Sequence, residues 1–215
     1  MKPKRVVIIG ASACGAKAAS RIKRLCPACD VVILDQSAFI SYAACGMPYY
    51  LSGKVRELDD LVKTTYGRVR DVRYFNDLKD ITVHTNVRAL HIDRQARRID
   101  ASNTVTGESL SLDYDALVLA TGARPRTLPI PGANLKGIYH LTRMEDIQAI
   151  ALEIRNRERG RAVIVGGGFI GVEAAEALRA KKWNVTLLER ESQLFPGLLD
   201  FEIAAMIREH FYEQL

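Results

Sequence analysis

The sequence predicts an α/β protein in which one strand–turn–helix unit is built twice, and three observations carry that expectation. RVVII at 5–9 runs into GASACG at 10–15, and RAVIV at 161–165 runs into GGGFIG at 166–171. Each unit then closes on a second apolar run ending in an acid, VVILD at 31–35 and VTLLE at 185–189. The chain has 215 residues, 48% of them hydrophobic and 26% charged, enough to bury a sizeable core. Strand, glycine turn, helix and a distant acid are the elements of a Rossmann-like dinucleotide-binding domain, so two such domains are expected.

Taken in order, the first turn needs small residues where its backbone approaches a pyrophosphate at a helix start. Gly10 and Gly15 meet that need, and Ser12 stands at the middle position with a hydroxyl able to donate to phosphate. Asp35, 20 residues past Gly15, is placed to accept from a ribose 2'-hydroxyl. Short alternating segments between Ile81 and Leu112, broken by Asn, Asp and Gly, read as an antiparallel meander. ALVLATG at 116–122 reads as a buried strand entering a glycine turn, and the Pro-rich stretch from Arg124 to Pro131 as the crossover between domains. The domain division is therefore expected as 1–135 and 136–215. The second turn carries all three glycines, with Glu189 as its acid; a carboxylate there favours NADH over NADPH, while neighbouring Arg190 leaves some tolerance for the latter. A loop and a helix-like stretch, Leu199 to Gln214, complete the sequence. A dinucleotide fold normally needs more parallel strands, so the second domain is expected to be incomplete.

Composition excludes several classes. Disorder and collagen-like repeats do not fit this hydrophobic content. The longest apolar runs fall far short of the ~20 residues of a membrane span, and the basic start lacks a signal-peptide core, so a cytoplasmic protein is expected. Lys and Arg outnumber Asp and Glu 31 to 25, for a net charge of +6. That suits anionic partners, but no Lys/Arg run interleaved with aromatics marks nucleic-acid binding. The four cysteines (14, 26, 29 and 45) suggest neither a disulfide framework nor a zinc site, so no metal is expected. His84, His91, His140 and His210 form no ligand-like pair.

Three further features bear on chemistry. Cys45 lies in SYAACGMPYY at 41–50, with Pro48 suited to a first helical turn; taken alone, it reads first as a buried structural thiol and only second as a reactive one. Lys17, Arg21 and Arg24 fall at i, i+4 and i+7, sharing one helix face that is either a phosphate-attracting stripe or a solvated surface. CPAC at 26–29 is a redox-capable spacing in a surface connection, without the surrounding pattern of a thiol oxidoreductase.

The order GxSxxG, Asp35, SYAACGMPYY, LATGARP at 119–125, GGGFIGVE at 166–173 and LLER at 187–190 resembles the FAD-dependent pyridine nucleotide-disulfide oxidoreductases across essentially the whole chain. The single cysteine is similar to the branch of coenzyme A-disulfide reductases, NADH oxidases and peroxidases, and persulfide/polysulfide reductases. The resemblance implies FAD on the first unit, with Gly10, Ser12, Gly15, Asp35 and Gln36 around the ADP half, Val87 near adenine, and Ala120, Thr121, Gly122 and Arg124 nearby. It implies NADH on the second through Gly166, Gly168, Ile170, Gly171 and Glu189, with Phe169 over the flavin and Glu173 near the nicotinamide. Cys45 would be the redox-active sulfur, reducing coenzyme A disulfide or a per/polysulfide with electrons from NADH through FAD. Lys17, Arg21, Arg24, Ser41 and Ala44 would line the thiol-substrate site, although Ala44 departs from the Asn usual there. NADH oxidase or peroxidase activity, and ferredoxin-reductase-like electron transfer, are the competing enzyme readings; a non-catalytic nucleotide-binding module competes from another class. The resemblance also implies a homodimer for the full-length protein.

Overall fold

The computed structural model describes residues 4–214. The chain divides into two compact units: residues up to Ala43 with Asp59–Arg124, and Ala44–Leu58 with the chain from Pro125 onward.

In the first unit, β1 (Arg5–Ile9) pairs in parallel with β2 (Asp30–Leu34) and with β7 (Ala116–Leu119), and β3 (Thr82–His84) adds to β2, giving the order β3-β2-β1-β7. Alternation along the strands separates two cores, as the two-residue period of a strand requires. Val6, Ile8, Val31 and Ile33 face α1 (Cys14–Leu25) and α3 (Val72–Lys79), where Ala16, Ala19, Phe75 and Ile81 complete one cluster. Val7, Val32 and Leu34 face the other way, onto Val87, Ile99 and Ala101. Those last three belong to an antiparallel sheet of β4 (Val87–Asp93), β5 (Arg98–Asn103) and β6 (Ser109–Asp113). The unit is thus helices, parallel sheet and meander in three layers, and burying each large aliphatic side chain contributes about 1.5–3 kcal/mol.

Two expectations need correction here. The segment from Ile81 to His84 is not part of the meander. Its strand pairs in parallel with β2, because Asn86 takes a left-handed turn (φ 56°) that redirects the chain before β4 begins. The 116–119 strand is not buried either: β7 sits at the sheet edge, and Leu119 is 63% exposed.

In the second unit, β8 (Arg161–Val165) and β9 (Asn184–Leu188) form a parallel pair connected by α5 (Phe169–Ala180). α4 (Met144–Arg155) precedes β8 and α6 (Phe201–Gln214) follows β9. The excursion 44–58 contributes α2 (Met47–Ser52), which packs on α4 and α5, with Met47 and Leu51 buried. Arg155 donates to the Tyr50 hydroxyl at 3.0 Å, and Lys54 pairs with Glu176 of α5 at 3.4 Å. Gly53, at φ 87°, ends α2 in the left-handed conformation glycine adopts freely.

Candidate functional site: two equivalent glycine turns and an exposed thiol

The two turns repeat each other bond for bond. Gly10 N–H donates to Leu34 O at 2.8 Å, and Gly166 N–H donates to Leu188 O at 2.8 Å. Both glycines have positive φ, 105° and 114°, which makes the turn sharp enough to start a helix directly after the strand. The last glycine of each motif lets that helix lie against the turn. A Cβ on Gly15 would stand 1.8 Å from Gly10 O, and one on Gly171 would stand 1.9 Å from Gly166 O.

The acids close both turns in the same way. Asp35 accepts from Ala11 N–H at 2.6 Å and from Ser37 N–H at 2.8 Å. Glu189 accepts from Gly167 N–H at 2.6 Å and from Glu191 N–H at 2.9 Å. Hydrogen bonds from the Glu191 and Gly167 backbone hold the Glu189 carboxyl below the usual glutamate range, so it is an anion at neutral pH. Arg190 is engaged by Glu191, through Nη2 at 2.6 Å and Nε at 3.0 Å.

The correspondence runs further than the motifs. Ser41 N–H donates to Ala11 O at 2.8 Å and Phe195 N–H donates to Gly167 O at 2.9 Å; these two residues also share a left-handed backbone, φ 50° and 51°. Sequence reasoning missed Phe195. Its only advance signal is position, because it stands six residues past Glu189 as Ser41 stands six past Asp35. Its ring lies 5.0 Å from that of Phe169, which is itself 59% exposed at the start of α5.

What the turns can do follows from their bare helix starts. The first N–H groups of a helix lack internal partners and carry the positive end of its dipole. Two other helices cap them: Asp71 accepts from Tyr74 N–H at 2.8 Å for α3, and Asp146 accepts from Arg143 N–H at 2.9 Å for α4. The starts of α1 and α5 have no side-chain cap and no acid in the first turn. Uncapped donors beside glycines that admit no Cβ form a cradle for a phosphate anion, and the strand-end carboxylate adds an acceptor for a ribose hydroxyl. A dinucleotide therefore fits each unit.

Other expected residues fall around the first turn. Ala120 lies against Gly10, whose Cβ would stand 2.2 Å from Ala120 O. Thr121, Gly122 and Arg124 follow on the exposed surface, and Gln36 is exposed beside Asp35. Val87 is tied to Asp35 by its N–H to the Asp35 carbonyl at 2.8 Å, while its side chain is buried in the core. Ser12 is half-buried in the turn itself. In the second unit Ile170 is exposed and Gly168 and Glu173 are half-buried.

Lys17, Arg21 and Arg24 are all exposed on α1. Ser41 is half-buried, Ala44 exposed. Cys45 is exposed in a single 3-10 turn, Ala44–Gly46, immediately ahead of α2, and Pro48 stands in the first turn of that helix. It does not sit in the core. No helix among the described residues is long and apolar enough to cross a membrane.

Comparison with known proteins agrees with this architecture. The NAD(P)H coenzyme A polysulfide/persulfide reductase of Pyrococcus horikoshii is 34% identical over 206 residues, 96% of this chain and 44% of that one. The coenzyme A disulfide reductase of Staphylococcus haemolyticus is 33% identical over 191 residues, 89% of this chain and 41% of that one. Among solved structures, an NAD-dependent persulfide reductase from A. fulgidus superposes with a TM-score of 0.93 at 40% identity, over 98% of this chain and 38% of the other. The chain thus spans less than half the length of each. With the family described as pyridine nucleotide-disulphide oxidoreductase matching residues 4–214, and with both glycine turns built as such a fold requires, the chain belongs to that family.

Proposed function

We propose that the enzyme containing this chain transfers electrons from NADH through FAD to Cys45 and so reduces coenzyme A disulfide or a per/polysulfide. The observation that carries the reading is the duplicated turn, with its uncapped helix start and its strand-end acid. One nucleotide cradle serves a prosthetic group and the other a diffusible coenzyme. FAD would be held by Gly10, Ser12, Gly15, Asp35, Gln36, Val87, Ala120, Thr121, Gly122 and Arg124. NADH would be held by Gly166, Gly168, Ile170, Gly171 and Glu189, with Phe169 and Glu173 on the nicotinamide side. When bound, flavin supplies the exchange between hydride and thiol chemistry that no side chain provides.

The chain's own residues set the rest. The Glu189 anion accepts from a ribose 2'-hydroxyl and repels a 2'-phosphate, while Glu191 holds the nearest cation, Arg190, so NADH is preferred. Cys45 attacks the substrate disulfide, forming a mixed disulfide and releasing one thiol. Two electrons and two protons from outside the pair free the second thiol and restore the Cys45 thiol. The net reaction consumes one NADH and one proton per disulfide. The exposed stripe of Lys17, Arg21 and Arg24 supports a phosphorylated thiol substrate, since oxygen or peroxide would gain nothing from three cations. A homodimer in the cytoplasm is the setting we propose, because a working thiol needs a compartment that keeps it reduced.

The test is a substrate panel on the intact flavoprotein under anaerobic conditions. NADH oxidation is expected with coenzyme A disulfide or polysulfide, at higher kcat/KM than with peroxide. Turnover only with an iron-sulfur protein, or no bleaching of bound flavin by NADH, overturns the proposal.

A further inference from the structure

Cys26 and Cys29 lie outside everything assigned so far. Cys26 closes the C-terminal end of α1, its N–H donating to Ile22 O at 2.8 Å. The next three residues turn back, with Cys29 N–H donating to Cys26 O at 3.0 Å. A turn of this kind keeps its first and last Cα within about 7 Å, the spacing a disulfide spans. The two thiols are close enough to influence each other, Cys26 being the main cause that raises the Cys29 thiol above its ordinary pKa. The sequence expectation of a plain surface connection is corrected in one respect. Cys29 is buried, 8% exposed, and Cys26 packs half-buried against the same core cluster.

The turn is also held from beneath. The Lys23 side chain is only 11% exposed, and its ammonium donates to Pro27 O at 2.8 Å, to Cys29 O at 3.0 Å and to the Asp80 carboxylate. All three ammonium hydrogens are used, two of them on the carbonyls of this one turn. Asp80 itself takes a left-handed backbone (φ 52°) at the end of α3. Pro27 fixes one further dihedral. With the thiols reduced, the two cysteines are therefore already held at the two ends of one braced turn.

We infer that Cys26 and Cys29 form a second dithiol/disulfide centre, independent of Cys45, which low-molecular-weight disulfides oxidise. Cys26, the more accessible sulfur, attacks one sulfur of the disulfide RSSR; a bond forms between Cys26 and RS, and one RS⁻ leaves with a proton. Cys29 then gives up its proton and attacks the Cys26 sulfur, forming the protein disulfide and expelling the second RS⁻, which takes that proton. The dithiol loses two electrons and two protons, and RSSR becomes two RSH. Contact with Cys26 and burial raise the Cys29 thiol above its ordinary pKa, and a helix C-terminus disfavours thiolates nearby. Because the effects raising the Cys29 thiol outweigh the pull of Lys23 and Lys4 on its thiolate, thiolate stabilisation at Cys29 does not favour the reduced form, and the disulfide, once made, resists reduction.

The experiment uses the intact protein, reduced, freed of reductant and challenged with glutathione disulfide. Acid quenching, alkylation and peptide mass spectrometry then follow each cysteine. The peptide bearing both residues is expected to lose two hydrogens, and alkylation at both positions to fall about tenfold together. In Cys26→Ser, Cys29 should alkylate as in the untreated protein. In Cys29→Ala, a glutathione adduct should persist at Cys26. Equal alkylation of the wild type with and without glutathione disulfide overturns the inference, as does a lasting adduct at Cys26 in the wild type or a bridge from either residue to Cys14 or Cys45. Neither NADH nor flavin enters the readout, so the result stands apart from the fate of Cys45.

Discussion

Adding one methyl group to either turn separates the two nucleotide sites. In Gly15→Ala the new Cβ would stand 1.8 Å from Gly10 O, 2.9 Å from Gly10 C and 3.1 Å from Ile8 Cγ2; in Gly171→Ala the corresponding distances are 1.9 Å to Gly166 O, 3.1 Å to Gly166 C and 3.4 Å to Ile164 Cγ2. The atoms in the way are backbone, so no side chain can swing clear. To regain a 3.0 Å contact the helix start must retreat by roughly 1 Å, which carries the uncapped N–H groups away from any phosphate they hold. Overpacking of this kind costs typically 1–3 kcal/mol, and a backbone obstacle places these sites near the upper figure. If that loss falls on binding, affinity drops about 100-fold at 1.4 kcal/mol per tenfold. Gly15→Ala should purify with little flavin. Gly171→Ala should keep its flavin and need about 100-fold more NADH to bleach it, read by anaerobic titration of the flavin absorbance. Full flavin content in the first variant, or an unchanged NADH titration in the second, refutes the reasoning.

Other consequences follow from the same residues. Glu191→Ala frees Arg190 and should narrow the preference for NADH over NADPH several-fold, measured as the ratio of kcat/KM values; an unchanged ratio removes Glu191 from coenzyme choice. The Glu189 carboxyl is depressed by its backbone donors, so its contribution to turn stability is fully present above the ordinary glutamate pKa and is lost as pH falls through the lower, folded value. A stability difference between wild type and Glu189→Gln should therefore hold at neutral pH and vanish in acid, and one that grows on acidification contradicts the assignment. Removing the exposed charges of Lys17, Arg21 and Arg24 together should raise KM for coenzyme A disulfide about tenfold, each contact being worth up to about 1 kcal/mol at a solvated surface. KM for an uncharged disulfide should not move.

Both turns were legible in the sequence because their chemistry is local. Glycine at 10, 15, 166 and 171 and an acid at 35 and 189 are residue choices that turn geometry forces. The left-handed backbones at Ser41 and Phe195 were not legible, since neither residue type advertises positive φ. β3 was misplaced because Val83 alternates like a meander residue, and only pairing with β2, some 50 residues away, decides its sheet. α3 and α4 were passed over although Asp71 and Asp146 are readable capping signals. Nor does sequence order reveal that 44–58, which carries Cys45, packs with the unit built around α5. Long-range packing decides that, and an exposed Cys45 ahead of α2 looks the same in either arrangement.

Cys45 is the sulfur proposed to receive the electrons, and Cys45→Ser tests that role in a single comparison. In the flavin-loaded variant NADH should still bleach the flavin and still support reduction of an artificial acceptor, while reduction of coenzyme A disulfide or polysulfide falls to background. Retention of that disulfide or polysulfide reduction, with the artificial-acceptor activity unchanged, would contradict it.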